Sequence, residues 1–415
     1  MNILRLSSYF PPEVVSSGHL TEDLYEGFEN NDIYCICYAP QPTRGVSEEV
    51  YKEYKNRKYE ELYNGHVKVH RFPMFREGKN PLQRAVRYFY CAFKQYQLGI
   101  KEKDIDAIFS TSTPPIQGML SALVAKKLSK KYGYRVPLVY NLQDIFPDSL
   151  VNAGLAKKDG LLWKIGRYIE DYTYKNSDKI IVISESMKKN IMAKGVAEEK
   201  IEVVSNWIDI DAVQPVPREE NTLFERFNIP REKFIVLYAG NLGEMQGAEV
   251  IFEAAEQLKD YKDIQFVVLG GGAYFEKAKK LAETMDNLYV DKLLPLEYVS
   301  QVYSMGDVAL ITCKAGTGTA GMPSKTWSIM ACNTPIIAAF DVDSDLNMVL
   351  ENSGAGKCVP AENAQELAKD ILNGYRERGC RNTSIDSRKY VITHASKNFC
   401  VNRYINVIKA VLRSK

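Results

Sequence analysis

The chain has 415 residues, enough for two domains that each bury a core of their own. Its 54 Lys plus Arg stand against 52 Asp plus Glu, so no global positive field exists to hold a nucleic-acid backbone, and any anion must be bound locally. There is no apolar run of about 18 residues, no secretory leader ahead of Asn2-Ile3-Leu4-Arg5-Leu6, and no metal-ligand spacing among four histidines and eight scattered cysteines, so a cytoplasmic protein without a metal is expected.

In chain order, strand-like apolar runs alternate with amphipathic helical segments, the pattern of parallel sheets covered by helices. The first-half strands are expected at 2–9, 34–39, 67–72, 107–111, 138–142, 179–183 and 201–204. The first runs into Tyr9-Phe10-Pro11-Pro12-Glu13 and a loop that closes at Gly18, ahead of a helix from His19. Free N–H groups at that helix start suit a diphosphate, and Gly18 permits its close approach. Segment 79–103 carries Leu82, Val86, Phe89, Phe93 and Tyr96 on one helical face, with Arg84, Arg87, Lys94 and Lys101 elsewhere. Such a stripe suits either an anionic membrane surface or packing on the first domain's sheet. Asp144 follows the strand at 138–142, where it either faces substrate from the strand's carboxyl end or caps the turn before Pro147.

The polar, doubly proline-bearing stretch 214–221 is the best linker candidate. It sets the expected boundaries: a first domain at 1–210, a linker at 211–222, a second domain at 223–396 and a terminal helix within 397–415. That helix, with Val401, Tyr404, Ile405, Ile408 and Leu412 apolar, either returns to the first domain or closes the second. Second-half strands are expected at 234–239, 264–269, 288–290, 308–312 and 335–339. The outcome is two doubly wound domains in tandem, with ligands collecting between them.

Three glycine-bearing loops follow second-half strands. They are Gly240 to Gly247, which includes Asn241 and Gln246; Gly270-Gly271-Gly272; and Gly316-Thr317-Gly318 through Gly321-Met322-Pro323-Ser324-Lys325. The first of these lacks the spacing of a dinucleotide fingerprint. The last is the most informative: glycines supply N–H donors, Pro323 suits a first helical turn, and Lys325 adds a full positive charge. That combination suits a pyrophosphate.

With these residues in hand the chain resembles family 4 of the retaining glycosyltransferases, which have the GT-B fold. The markers are Tyr9-Phe10-Pro11-Pro12-Glu13, Asp144-Ile145-Phe146-Pro147-Asp148-Ser149, Ile183-Ser184-Glu185-Ser186-Met187, Ser205-Asn206-Trp207-Ile208-Asp209, Tyr238-Ala239-Gly240-Asn241-Leu242-Gly243 and Pro323-Ser324-Lys325. Together they cover essentially the whole chain, and they look most like the bacterial capsule, colanic acid and O-antigen enzymes. The resemblance implies two Rossmann-like domains with a cleft between them and a C-terminal helix crossing back to the first. It also implies transfer from a nucleotide diphosphosugar, a UDP-sugar first, to a lipid-diphosphate-linked saccharide, without a metal or further cofactor.

The resemblance assigns residues too. Glu13 and His19 would meet the acceptor, Leu293, Leu294 and Pro295 would lie by the base, and Lys325 with Gly321 to Ser324 would hold the phosphates. Two features depart from the family's pattern. Its paired glutamates fall at Ala320 and Ser328, or at Gly318 for the first, and its Arg and Lys diphosphate clamp falls at about Asn241 and Gln246. Rival readings are a nucleotide-sugar epimerase of the same architecture and a non-catalytic donor-binding subunit of a polysaccharide assembly complex.

Overall fold

A computed structural model describes residues 1–13, 18–76, 81–152, 156–318, 321–378 and 386–413. Val14 to Ser17 of the loop that closes at Gly18, Lys79, Ala320 and Cys380, one of the eight cysteines, lie outside the described residues, as does the Leu82 side chain. The chain forms two compact units, Met1–Ser205 with Cys400–Lys415, and Asn206–Phe399.

In the first unit the elements run β1 (Asn2–Leu6), α1 (Gly18–Glu29), β2 (Tyr34–Pro40), α2 (Glu48–Tyr54), β3 (Tyr59–Leu62), β4 (Val67–Phe72), α3 (Pro81–Gly99), β5 (Ala107–Thr111), α4 (Ile116–Tyr132), β6 (Leu138–Leu142), α5 (Asp148–Asn152), α6 (Leu161–Asn176), β7 (Lys179–Val182), α7 (Glu185–Ala193) and β8 (Ile201–Val203). The strands pair in the order β3-β4-β2-β1-β5-β6-β7-β8. All pairings are parallel except β3 with β4. Interior strands such as Leu138-Val139-Tyr140-Asn141-Leu142 are buried throughout, because helices cover both faces of a parallel sheet. Each such Leu, Ile or Val is worth about 1.5–3 kcal/mol relative to exposure.

The second unit has α8 (Leu223–Arg226), β9 (Phe234–Asn241), α9 (Glu249–Gln257), β10 (Ile264–Gly271), α10 (Phe275–Ala282), β11 (Leu288–Asp291), α11 (Val299–Met305), β12 (Val308–Thr312), α12 (Lys325–Ala331), β13 (Ile336–Phe340), α13 (Asp345–Ser353), β14 (Gly356–Pro360), α14 (Ala364–Arg376) and α15 (Ser387–His394). Its sheet is wholly parallel, in the order β11-β10-β9-β12-β13-β14. Connections run one way from β9 and the other way from β12, so the strand order reverses between these two, the point where open sheets hold ligands.

All twelve strands expected from the sequence are present, with ends moved by a few residues, and the architecture is the expected pair of doubly wound sheets. Two edge strands were not expected. β3 reads Tyr-Glu-Glu-Leu and β14 reads Gly-Lys-Cys-Val-Pro, and neither has the apolar run of a strand buried on both faces. The stretch 211–222, expected as a linker, lies within the second unit. Its backbone is tied down there: Gln214 and Val216 donate to Ser300 and Ser304 Oγ, and Arg388 donates to the Ile210 and Val213 carbonyls. Polar composition here reflects hydrogen bonding rather than freedom.

The last helix, α16 (Lys397–Arg413), belongs to the first unit from Cys400 onward. A Cβ on Gly27 of α1 would stand 2.4 Å from Val401, so the two helices meet at that glycine. The Tyr404 ring lies edge-on to Phe109 at 6.3 Å, its hydroxyl donates to Asn141 Oδ1 at 3.1 Å, and Lys409 donates to Asn31.

Candidate functional site

Within the second unit, the carboxyl ends of three neighbouring strands border an open pocket of about 480 Å³. Gly240 and Asn241 of β9, Gly270 and Gly271 of β10, Phe275 of α10, and Lys292 and Leu293 after β11 line it. The sequence pointed to Gly240, Asn241 and Gly271. It missed Phe275 and Lys292, although Lys292 directly follows a strand's carboxyl end, where such sheets place ligand contacts. Leu294, expected near a base, is instead half-buried against the core, and its neighbour Leu293 takes the pocket wall.

Lys325 stands at the head of α12, the helix after β12, and so on the far side of the strand-order reversal from the pocket. Its Nζ lies 4.1 Å from the centroid of the Tyr238 ring, and Tyr238 is buried in β9 with its hydroxyl donating to the Asn241 carbonyl. Gly240 makes room for it: a Cβ there would lie 2.5 Å from Nζ, and the residue holds φ +151, which a side chain disfavours. Among the described residues no carboxylate pairs with Lys325, and burial alone lowers its pKa to about 8. A half-buried cation, partly desolvated and without a counter-charge, favours any anion that can reach it.

The surrounding loops take positions the sequence did not foresee. The N–H groups of Gly316 and Gly318, expected to face a pyrophosphate, donate to the two carboxylate oxygens of Asp341 at 3.0 and 2.7 Å. They are therefore already engaged, and Asp341, 25 and 23 residues away in sequence, gave no local signal. Asn241 and Gln246, at the places of the family's basic clamp, bond to each other, Nδ2 to Oε1, at 2.9 Å. Gly247 holds φ +55 and backs onto the Cys313 carbonyl, where a Cβ would come within 2.6 Å. Gly321, Met322 and Pro323 are half-buried on the approach to α12, Ser324 is exposed just before its first residue, and Ser328 lies half-buried one turn beyond Lys325.

In the first unit, Glu13 corrects the expectation of an acceptor contact. Its side chain is fully buried, and its carboxylate accepts from the N–H groups of Thr43 at 2.9 Å, Arg44 at 3.1 Å and Phe10 at 3.2 Å. Arg87, also buried, lies 3.5 Å away. Burial raises the Glu13 pKa, while the Thr43 N–H and the Arg87 charge pull it back. Glu13 therefore fastens the loop after β1 to its neighbours and presents no free carboxylate. Gly18 opens α1 and His19 is exposed beside it.

Asp144 is exposed on the loop between β6 and α5. Nearby burial raises its pKa, with the Ser149 hydroxyl and the Ile145 N–H acting against that rise. Four residues on, Asp148 accepts from Lys194 Nζ at 2.7 Å, and the same ammonium donates to buried Glu170 of α6 at 3.0 Å. The Asp144 loop is thus anchored from α6 and from the residue after α7.

Comparison with known proteins decides the family. Residues 18–212 match the family described as Glycosyltransferase Family 4, and residues 219–392 match Glycosyl transferases group 1. The chain belongs to the family 4 glycosyltransferases. The glycosyltransferase is 29% identical over 307 residues to WbjE of Pseudomonas aeruginosa, named as a glycosyltransferase, covering 72% of this chain and 74% of that protein. It is 30% identical over 250 residues to WcaI of Escherichia coli (strain K12), named for colanic acid biosynthesis, covering 59% of this chain and 61% of that one. Among solved structures it matches sucrose-phosphate synthase of Thermosynechococcus elongatus at TM-score 0.72 and 16% identity, over the full length of both chains. It matches Anabaena HepE, solved in complex with UDP-glucose, at TM-score 0.68 and 15% identity over 99% of this chain and 100% of that one. At those identities the likeness is one of fold.

Proposed function

We propose that this glycosyltransferase moves a sugar, with retention of configuration, from a nucleotide diphosphosugar to a lipid-diphosphate-linked saccharide in bacterial surface polysaccharide assembly. The second unit holds the donor, a UDP-sugar first, and the first unit presents the acceptor. One observation carries the reading: a desolvated Lys325 ammonium with no carboxylate partner among the described residues, beside Gly240 where the strand order reverses. The name of WcaI supports the polysaccharide context, and the UDP-glucose complex of HepE supports the donor class.

In the reaction the bond from the anomeric carbon to the diphosphate breaks and a bond to the acceptor oxygen forms on the same face. The departing phosphate oxygen takes the acceptor's proton. Lys325 offsets the charge that grows on that phosphate, an interaction stronger in the transition state than in the bound donor. The head of α12 and the backbone from Gly321 to Ser324 add to it, while Asp144 orients the acceptor or steadies the positive charge on the sugar.

A second reading, binding of donor without transfer, is favoured by the missing carboxylates at Gly318 and Ser328. The test is transfer of labelled sugar from UDP-, GDP- and dTDP-sugars to a lipid-linked saccharide, with Lys325→Ala beside the wild type. Transfer that depends on Lys325 supports the proposal. Nucleotide binding with no transfer across the panel supports the second reading, and transfer undiminished in a folded Lys325→Ala protein removes the lysine from the chemistry.

A further inference from the structure

Among the described residues no helix is long and apolar enough to cross a membrane, yet the first unit leaves large apolar side chains uncovered. Those on α6 are the most exposed as a group: Leu161 77%, Tyr168 63%, Leu162 50% and Ile165 50%. At positions i, i+1, i+4 and i+7 they occupy about a third of the helix circumference. The opposite face is committed to the fold. Gly166 is pressed so closely that a Cβ would lie 2.7 Å from Pro147 and 2.8 Å from Phe146, and Glu170, Thr173 and Tyr174 are buried.

Charge completes the pattern. Lys157, Lys158 and Lys164 are exposed around the apolar patch and outnumber the one exposed acid beside them, Asp159; none of the three has an ion pair among the described residues, whereas Arg167 is held by Glu170 and Asp171. An apolar face bordered by unpaired lysines, on a helix with a buried back, suits a surface that is both greasy and negative. A second copy of this chain would bring the same three lysines against the first.

We infer that the outer face of α6 docks the enzyme on an anionic lipid bilayer. The inference deepens the proposed function, since it rests on a lipid-linked acceptor. The Asp144 loop sits on the inner face of the same helix through Gly166, and Lys194 ties Asp148 to Glu170. Docking by α6 therefore fixes the loop that carries Asp144 near the layer where a lipid-borne diphosphate lies. α3, whose Val86, Phe89 and Phe93 are also exposed, packs with α6 against the shared helix α4 and so lies in the same layer.

The test is co-sedimentation of the full chain with vesicles of phosphatidylcholine containing about one third phosphatidylglycerol, and with phosphatidylcholine alone. The wild type sediments with the anionic vesicles and far less with the neutral ones. Changing Leu161, Leu162, Ile165 and Tyr168 together to Gln abolishes sedimentation. Changing Lys157, Lys158 and Lys164 to Gln weakens it on the order of 100-fold. UDP binding by calorimetry and the elution volume in size-exclusion chromatography stay unchanged in both. Wild-type protein that ignores anionic vesicles overturns the inference. So do α6 variants that still sediment while Val86, Phe89 and Phe93 changed to Gln do not, and so does a change of oligomeric size in the α6 variants. Failed vesicle binding with intact transfer to a water-soluble acceptor sinks only the docking, and failed nucleotide binding with intact docking sinks only the donor chemistry.

Discussion

Two cations, Arg87 fully buried and Lys325 half-buried, follow opposite designs. Arg87, beneath the loop after β1, faces the Glu13 carboxylate, the Thr43 hydroxyl and the Ser8 carbonyl. Lys325, beside the loop after β9, faces an aromatic ring and a glycine, and burial has moved its pKa down to about 8. A matched charge holds structure and is poorly placed to do anything else. An unmatched one carries a desolvation cost that an arriving anion relieves, so it marks the place where a ligand completes the protein.

The largest effect is expected at the matched charge. Glu13→Ala leaves Arg87 buried without its counter-charge, and denaturant unfolding should register a loss of about 3–5 kcal/mol. On the unmatched side, Lys325→Ala should lower kcat by about 10²–10³-fold, the effect of removing one preorganised donor to a developing anion. The same substitution should leave the ligand-free fold equally or more stable, the reverse of the Glu13 result.

Acidity sharpens the contrast further. Lys325 binds an anion in its protonated form, and the anion holds that proton more tightly. UDP affinity measured by calorimetry should therefore be level below pH 8 and fall by up to about tenfold per pH unit above it. In the absence of nucleotide the sign reverses. The folded pKa of about 8 lies below the ordinary value of 10.5, so the unfolded chain binds more protons between them, and the fold gains stability as pH rises through that window. The smallest effect is expected at Asp341→Ala, which releases the exposed Gly316 N–H into water and leaves the buried Gly318 N–H without its acceptor; urea unfolding should show a loss of about 1–3 kcal/mol.

What the sequence reveals follows the reach of each interaction. Strands buried on both faces announce themselves as apolar runs, and Lys325 announces itself as the cation that directly follows the glycine-bearing loop after β12. Edge strands β3 and β14 do not, because half their surface faces water and their residues are chosen accordingly. Glu13 looked like a free carboxylate because its partners Thr43, Arg44 and Arg87 lie 30 to 74 residues away. Gly316 and Gly318 looked like free donors for the same reason. A loop's residue types show what it can bind, and only the fold shows whether something already occupies it.

The most direct measurement is the titration of the Lys325 ammonium by nuclear magnetic resonance in selectively labelled protein, alone, with uridine and with UDP. Lys325 should titrate near 8 in the free protein, unchanged with uridine and moved clearly upward with UDP, because only the diphosphate supplies the missing charge. A Lys325 that titrates identically with and without UDP, while UDP is bound, would contradict that expectation.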